Sequence, residues 1–368
     1  MTSPTGSSPL MVHACTAADV RGLIVDTEGP PAPQTGLAPL TWRESPEPQP
    51  GPNDVLIAVH AAGVNRADLM QREGRYPPPP GASDVLGLEA AGIVVATGDA
   101  VERVRGGERV CTLLPGGGYA THVVAPADLV IPVWDGLDDT HAAALPEVFM
   151  TAYTALFDDA RVAPGETVLI HAAASGVGTA AIQLARAAGC RVIATCGGQA
   201  KADACRRLGA HVAIDRHSAD FAAEILDTVP VERERHVGPG GAAGVGPVDV
   251  IIDMVGRAYF ERNLRLLAVG GRVVFVAAQS GPDVPLSIYD LTSKRLQLIG
   301  TTLRARTVGE KIALRDALLA RFGEAFRTGS IAPVVDSVFP IERVEAAHAR
   351  MLDNQNVGKI VLTLGERD

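Results

Sequence analysis

Apolar positions along the chain follow two rhythms. Between residues 55 and 133 they form short runs, VLIAVHAAGV, AAGIVVAT, ERVCTLL, ATHVVAP and DLVIPV, punctuated by Gly and Pro. That pattern predicts a mainly β domain with tight turns. From residue 166 the rhythm changes. ETVLIHA at 166–172 predicts a buried strand, and GTAAIQLARAAG a helix with Ile182, Leu184, Ala185 and Ala188 as apolar positions, stopping at Gly189. RVIAT at 191–195, HVAID, VDVIIDM, RVVFVA and RLQLIG predict further strands, and AKADACRRL, ADFAAEILDTV and YFERNLRLLA the helices between them. Strand–helix alternation implies a parallel sheet with helices on both faces. The Gly-rich stretch between His236 and Pro247 breaks the pattern and is expected to be a flexible surface loop. After Thr302 come an amphipathic helix and two strand-like pieces, APVVDSVFP and KIVLTL. The chain thus leaves its first domain, builds a second, and returns.

Composition narrows the class. The 368 residues suffice for two domains, and 47 % are hydrophobic, enough for substantial cores. A net charge of −9 offers no electrostatic footprint for nucleic acid. No apolar stretch reaches the roughly 20 residues of a membrane span. The start of the chain lacks the basic and apolar regions of a secretory signal, and its first 18 residues are Ser/Thr/Pro-rich and expected to be disordered. Five scattered cysteines point to free thiols and a cytoplasmic location.

The sharpest chemical signal is LIHAAASGVGTAAIQLA, a strand running through a Gly-containing turn into a helix. Free backbone N–H groups at such a helix start attract a dinucleotide pyrophosphate. Gly176 permits close approach of backbone to phosphate, and Gly178 permits tight helix–strand packing. Ala173 and Ser175 occupy two places where the usual GxGxxG carries glycine.

At this turn the sequence resembles the zinc-free quinone oxidoreductase, zeta-crystallin-like, branch of the medium-chain dehydrogenase/reductase superfamily. HAAASGVGTAAIQLA is similar to that branch's nucleotide signature, and GVNRADLMQREGRYPPPPG at 63–81 to its substrate-side signature. LPGGGYATHVV, ALPEVFMTAYTALFD, DMVG, GTTLRAR and VGKIVL follow in the expected order. The resemblance implies an α/β fold: a GroES-like, β-rich catalytic domain at 19–146 and 303–368, with a Rossmann doubly wound parallel sheet inserted at 147–302. The cofactor would lie in the cleft between them.

Catalytic zinc needs about three protein ligands from Cys, His, Asp or Glu. Asn65 stands where a Cys ligand would be expected and Leu88 where a His would be. Structural zinc needs a closely spaced Cys cluster, and near residues 100–120 only Cys111 is present. No metal is expected.

The resemblance implies that Asn65 lies beside the nicotinamide with its amide N–H able to donate, although a loop Asn also bonds its own backbone. Tyr76 would stack on a flat acceptor or donate its hydroxyl proton, or else anchor the Pro-rich turn that follows. Ser175, Gly176, Val177 and Gly178 would meet the pyrophosphate. Thr151 is expected to open the helix that approaches the cofactor. Val276, Ala277, Leu303 and Asn356 would line the nicotinamide end, the first three being equally consistent with ordinary core. NADPH rather than NADH is expected. Roughly 20 residues past the turn, where an NAD enzyme carries a carboxylate, stands Cys196, and no Asp or Glu appears before Asp203. Gly197 and Gly198 leave room for a 2′-phosphate, Lys201 matches a position that contacts it in relatives, and Arg216 could add a charged bond.

The expected reaction is therefore hydride transfer from NADPH to a small-molecule quinone. An enone or enoyl-thioester reductase is a second reading, and a nucleotide-binding structural or RNA-binding protein a third. DVPLSIYD, between Asp283 and Asp290, alternates apolar residues and is expected to be an exposed edge strand that pairs two copies in a homodimer.

Overall fold

The computed structural model describes residues 20–218, 220–230 and 246–365. The extension at 1–18, and the segment between His236 and Pro247 apart from its last two residues, lie outside the described residues.

Strand β3 (Asp54–Val64) is the spine of the first domain. Val55, Leu56, Ile57, Val59, Ala61, Ala62 and Val64 are all buried, so both of its faces are covered. It pairs antiparallel with β4 (Glu89–Thr97), β6 (His122–Pro126) and β15 (Lys359–Thr363). The seven-stranded sheet runs β14 (Val335–Pro340), β15, β3, β4, β5 (Arg109–Leu113) and β7 (Ile131–Pro132), with β6 also on β3. Strands β1 (Val20–Val25) and β2 (Leu40–Ser45) form a separate antiparallel pair. The two C-terminal strands close the sheet that the first half of the chain began.

The second sheet has six parallel strands in the order β10 (Val212–Asp215), β9 (Arg191–Cys196), β8 (Thr167–Ile170), β11 (Val248–Asp253), β12 (Leu267–Phe275) and β13 (Gln297–Gly300). In chain order this is 3-2-1-4-5-6, the dinucleotide-binding topology, whose switch point lies between β8 and β11. A buried polar chain ties the carboxyl ends of the central strands together. Thr195 Oγ1 donates to His171 Nδ1 at 2.7 Å, His171 Nε2 donates to Asn263 Oδ1 at 2.8 Å, and Asn263 Nδ2 donates to Asp253 Oδ2 at 2.9 Å. Asn263 can only accept from His171, because its amide nitrogen already donates to the carboxylate. Burial depresses the His171 pKa, and the ring serves as a neutral connector.

Two local expectations are corrected. Pro146, not Thr151, opens helix α3 (Pro146–Tyr153); proline has no N–H to lose at a helix start, and Thr151 lies in the second turn. The stretch between Asp283 and Asp290 is not an edge strand. Residues 288–294 form a short helix, Ile288–Lys294, preceded by irregular chain. The reason is topological. Strands β12 and β13 are parallel, so the chain between them must cross over rather than run along the edge, and Pro285 removes one ladder N–H. The sheet edge itself is β13.

Candidate active site

The cleft begins where β8 ends. Ala172 holds a left-handed φ of 47°, an uncommon conformation for a non-glycine residue, just before the turn. Helix α4 (Gly176–Ala187) starts at once, with Ser175 as N-cap: its Oγ accepts from Gly178 N–H at 3.1 Å. A Cβ on Gly178 would stand 2.5 Å from the carbonyl oxygen of Ala173, so glycine is required for the strand-to-helix packing. A Cβ on Gly176 would meet Lys359 Cδ at 2.8 Å and Val148 Cγ1 at 2.9 Å. The phosphate-type turn is therefore pressed against α3 and against a lysine from the returning C-terminal strand. The Gly358 N–H donates to the Ala174 carbonyl at 2.8 Å, closing the two domains over this turn.

Beneath the turn lies a buried ionic cluster. The Lys359 ammonium uses all three hydrogens: on Val64 O at 2.7 Å, Asn65 Oδ1 at 2.6 Å and Glu89 Oε1 at 2.6 Å. The Glu89 side chain is fully buried, and its Oε2 accepts from the Glu147 backbone N–H at 2.8 Å. Asn65 Nδ2 donates to Gly63 O at 3.2 Å and to Glu89 Oε1 at 3.0 Å. Both amide hydrogens of Asn65 are thus engaged within the protein.

The cluster has a second tier. The Asn65 N–H donates to Asp68 Oδ2 at 2.7 Å at the start of helix α1 (Arg66–Arg72). The Tyr119 hydroxyl also donates to Asp68 Oδ2, at 2.9 Å. Arg72 Nη1 lies 2.9 Å from His348 Nδ1, and because arginine only donates, His348 must carry its proton on Nε2, 3.3 Å from the Tyr119 hydroxyl. Burial and the Arg72 charge push the His348 pKa down to about 3. Burial raises Asp68 to about 6, opposed by its two donors.

The opposite wall carries Tyr76, Arg304 and Lys311. The Arg304 guanidinium lies 5.0 Å from the Tyr76 ring centroid and donates to Tyr76 O at 3.2 Å, Gln71 Oε1 at 2.8 Å and Pro115 O at 2.9 Å. Lys311 Nζ donates to Arg304 O at 2.8 Å. These bonds pin the Pro-rich loop to the chain leaving the nucleotide sheet. Of the other expected lining residues, Leu303 is buried, Val276 and Ala277 are partly buried, and Asn356 Nδ2 donates to Gly358 O at 2.7 Å, beside the phosphate-type turn.

Some buried groups are left over, Asp68 Oδ1 and the Thr151 hydroxyl among them. Thr151 Oγ1 is buried with no hydrogen-bond partner, and a buried hydroxyl without a partner costs about 1–3 kcal/mol. Thr151 sits on α3, one turn from the segment that touches Gly176. A nicotinamide carboxamide would satisfy the hydroxyl, and the first turn of α4 would meet the pyrophosphate. The residues present therefore fit a nicotinamide dinucleotide.

At the far end, Gly198 N–H donates to Asp215 Oδ1 at 2.7 Å. A carboxylate does stand near this turn, contributed by the neighbouring strand and held by the N–H groups of Gly198 and His217. A Cβ on Gly197 would lie 3.1 Å from His217 Nε2 and 3.3 Å from Arg216 Nε, so both side chains roof the glycine. Lys201 donates to the Asn354 carbonyl. Among the described residues, no three His, Cys, Asp or Glu side chains gather as a metal site. Cys111 is buried, and burial pushes its thiol pKa up.

Sequence reasoning missed Glu89, Glu147, Lys359, Arg304 and His217. Glu89, Arg304 and His217 lay beside residues already singled out, Leu88, Leu303 and Arg216, whereas Glu147 and Lys359 had no such neighbour.

Comparison with known proteins gives consistent matches. Residues 51–135 match the alcohol dehydrogenase GroES-like domain family, and residues 176–317 the zinc-binding dehydrogenase family. Quinone oxidoreductase of Rattus norvegicus is 32 % identical over 319 residues, covering 86 % of this chain and 91 % of the relative. The synaptic vesicle membrane protein VAT-1 homolog of Homo sapiens is 30 % identical, covering 89 % and 83 %. Among solved structures, a mycobacterial protein complexed with NADPH superposes with a TM-score of 0.77 at 29 % identity, covering 94 % of this chain and all of that one. The CurK enoyl reductase gives 0.77 at 26 %, covering 94 % and 99 %.

Proposed function

The chain belongs to the quinone oxidoreductase branch of the medium-chain dehydrogenase/reductase superfamily, and we propose that it is a zinc-independent, NADPH-dependent reductase of quinone-type acceptors. The observation that carries this reading is the cleft itself. The α4 N-terminus rests on Lys359 of the buried cluster, α3 carries an orphaned Thr151 hydroxyl, and Asn65 and Leu88 stand where zinc ligands would be needed. When bound, the nicotinamide supplies the hydride. The protein orients it, excludes water and places charge near the acceptor oxygen. The Tyr76 ring, backed by the Arg304 cation, offers a flat platform for a flat acceptor. An enoyl-type substrate is the second reading, favoured by the structural likeness to CurK.

The 2′-phosphate of NADPH would meet Arg216, His217 and Lys201 over Gly197, with Asp215 held back by two backbone N–H groups. A second copy of the chain would cover the exposed side chains of Leu286, Ile288 and Tyr289. The helix Ile288–Lys294 buries none of its residues in one chain, and it immediately precedes β13, the edge strand of the nucleotide sheet. The acidic, apolar-cored chain is proposed to work in the cytoplasm.

Purified protein in chelator should oxidise NADPH with ortho- and para-quinones, and more slowly with acyclic enones. Turnover that requires added zinc, or no turnover with any of these acceptors, contradicts the reading. Lys201→Ala should raise the NADPH KM at least about tenfold, because a charge-assisted hydrogen bond contributes about 1.5–3 kcal/mol, while sparing NADH; a wild-type preference for NADH would sink this assignment. Light scattering at micromolar concentration should report a dimer, and a strict monomer would refute the pairing.

A further inference from the structure

Glu147 is a third carboxyl group at the cleft, beside Glu89 and Asp68. It occupies the first turn of α3, four residues before Thr151, so the two side chains share one helix face. That is the face with the orphaned Thr151 hydroxyl. Its own N–H is fixed on Glu89 Oε2 at 2.8 Å, which locks the start of the helix against the ionic cluster. The Glu147 side chain is half-buried, and among the described residues its carboxyl has no hydrogen-bond or ion-pair partner.

We propose that Glu147 is the general acid of this site, donating the proton that accompanies hydride transfer to the acceptor. The inference rests on the reductase reading. In the step, hydride adds to the electrophilic end of the conjugated carbonyl system and an electron pair moves onto the carbonyl oxygen. The Glu147 O–H bond breaks, and its proton forms the new O–H bond on that oxygen. NADPH is oxidised, the acceptor gains two electrons, and the carboxylate recovers a proton from water.

The groups around Glu147 decide its protonation. Burial is the largest influence and favours the neutral acid, and Glu89 on β4 and Asp68 on α1 act in the same direction. Lys359 on β15 and Lys311, on the helix Val308–Arg327, oppose them. The carboxyl is held up at about 8, so it carries its proton at neutral pH. A helix N-terminus ordinarily favours a carboxylate; here desolvation and the neighbouring carboxylates outweigh that. Tyr76 and Arg304 complete the charged surroundings from the opposite wall. The other acids are poorly placed for the task. Glu89 is bonded to Lys359, and Asp68 is buried beneath Asn65. Burial raises the Tyr76 phenol further from neutrality.

The test is the pH profile of kcat with saturating NADPH and quinone, between about pH 6 and pH 10, for wild type, Glu147→Gln and Glu147→Asp, alongside NADPH affinity by fluorescence titration. Wild-type kcat should fall as pH rises through about 8, because the required form is the acid. Glu147→Gln should be slower by about 10²–10⁴-fold and flat across the range, with NADPH affinity within about twofold. Glu147→Asp should regain a falling limb. A Glu147→Gln enzyme with wild-type rate and the wild-type limb overturns the assignment. So does a loss of turnover that follows lost NADPH affinity in both variants. If wild type reduces no acceptor, the reductase reading fails and this inference falls with it.

Discussion

The buried pair of Lys359 and Glu89 holds the rest of the cleft in place. Both side chains are buried, so each charge depends on the other and on fixed polar groups nearby. Removing such charges from water costs several kcal/mol per ion, and their attraction offsets this only if the remaining donors and acceptors are satisfied. Here they are: three bonds from the ammonium, and on the carboxylate bonds from Asn65 and the Glu147 N–H. The four participants come from different elements. Glu89 lies on β4, Asn65 at the cap of α1, Glu147 at the start of α3 and Lys359 on the final strand. One ion pair therefore sets the positions of three separate segments around the cofactor cleft.

The same pair couples the two domains. The Lys359 aliphatic stem packs where a Gly176 side chain would be, and the neighbouring Gly358 bonds to the phosphate turn. The turn thus rests on the ionic cluster, and cofactor binding and domain closure share one floor. The second tier through Asp68, Tyr119, His348 and Arg72 extends this rigidity toward the surface at Glu345, which accepts from Arg72 at 2.8 Å. The donor-only arginine fixes the His348 tautomer, and the tier serves as a brace beneath the cleft.

Local chemistry was legible in the sequence, and long-range chemistry was not. The Gly-containing turn, the alternation of strands and helices and the return of the C-terminal strands all follow from patterns within a few tens of residues. Gly178 is needed for the reason its spacing suggests, the close approach of Ala173. Lys359 and Asn65 are 294 residues apart, and no spacing rule joins them. Glu147 drew no reading of its own in the sequence, because Thr151 was expected to open that helix and the contact with Glu89 comes from a strand 58 residues away. The stretch from Asp283 misled because alternation predicts a strand, whereas a parallel neighbour demands a crossover there. Asp215 was invisible to a count along β9 because it arrives from the adjacent strand.

The central claim is that the Lys359–Glu89 pair organises the cleft, and a double-mutant cycle tests it most directly. Lys359→Met, Glu89→Gln and the double variant would be compared by denaturant unfolding and by NADPH titration. The account predicts that each single change costs about 3–5 kcal/mol, because it strands a buried partner, and that the double variant loses no more than either single. It also predicts that both singles weaken NADPH binding. Additive losses in the double variant, or single variants with wild-type stability and NADPH affinity, would contradict it.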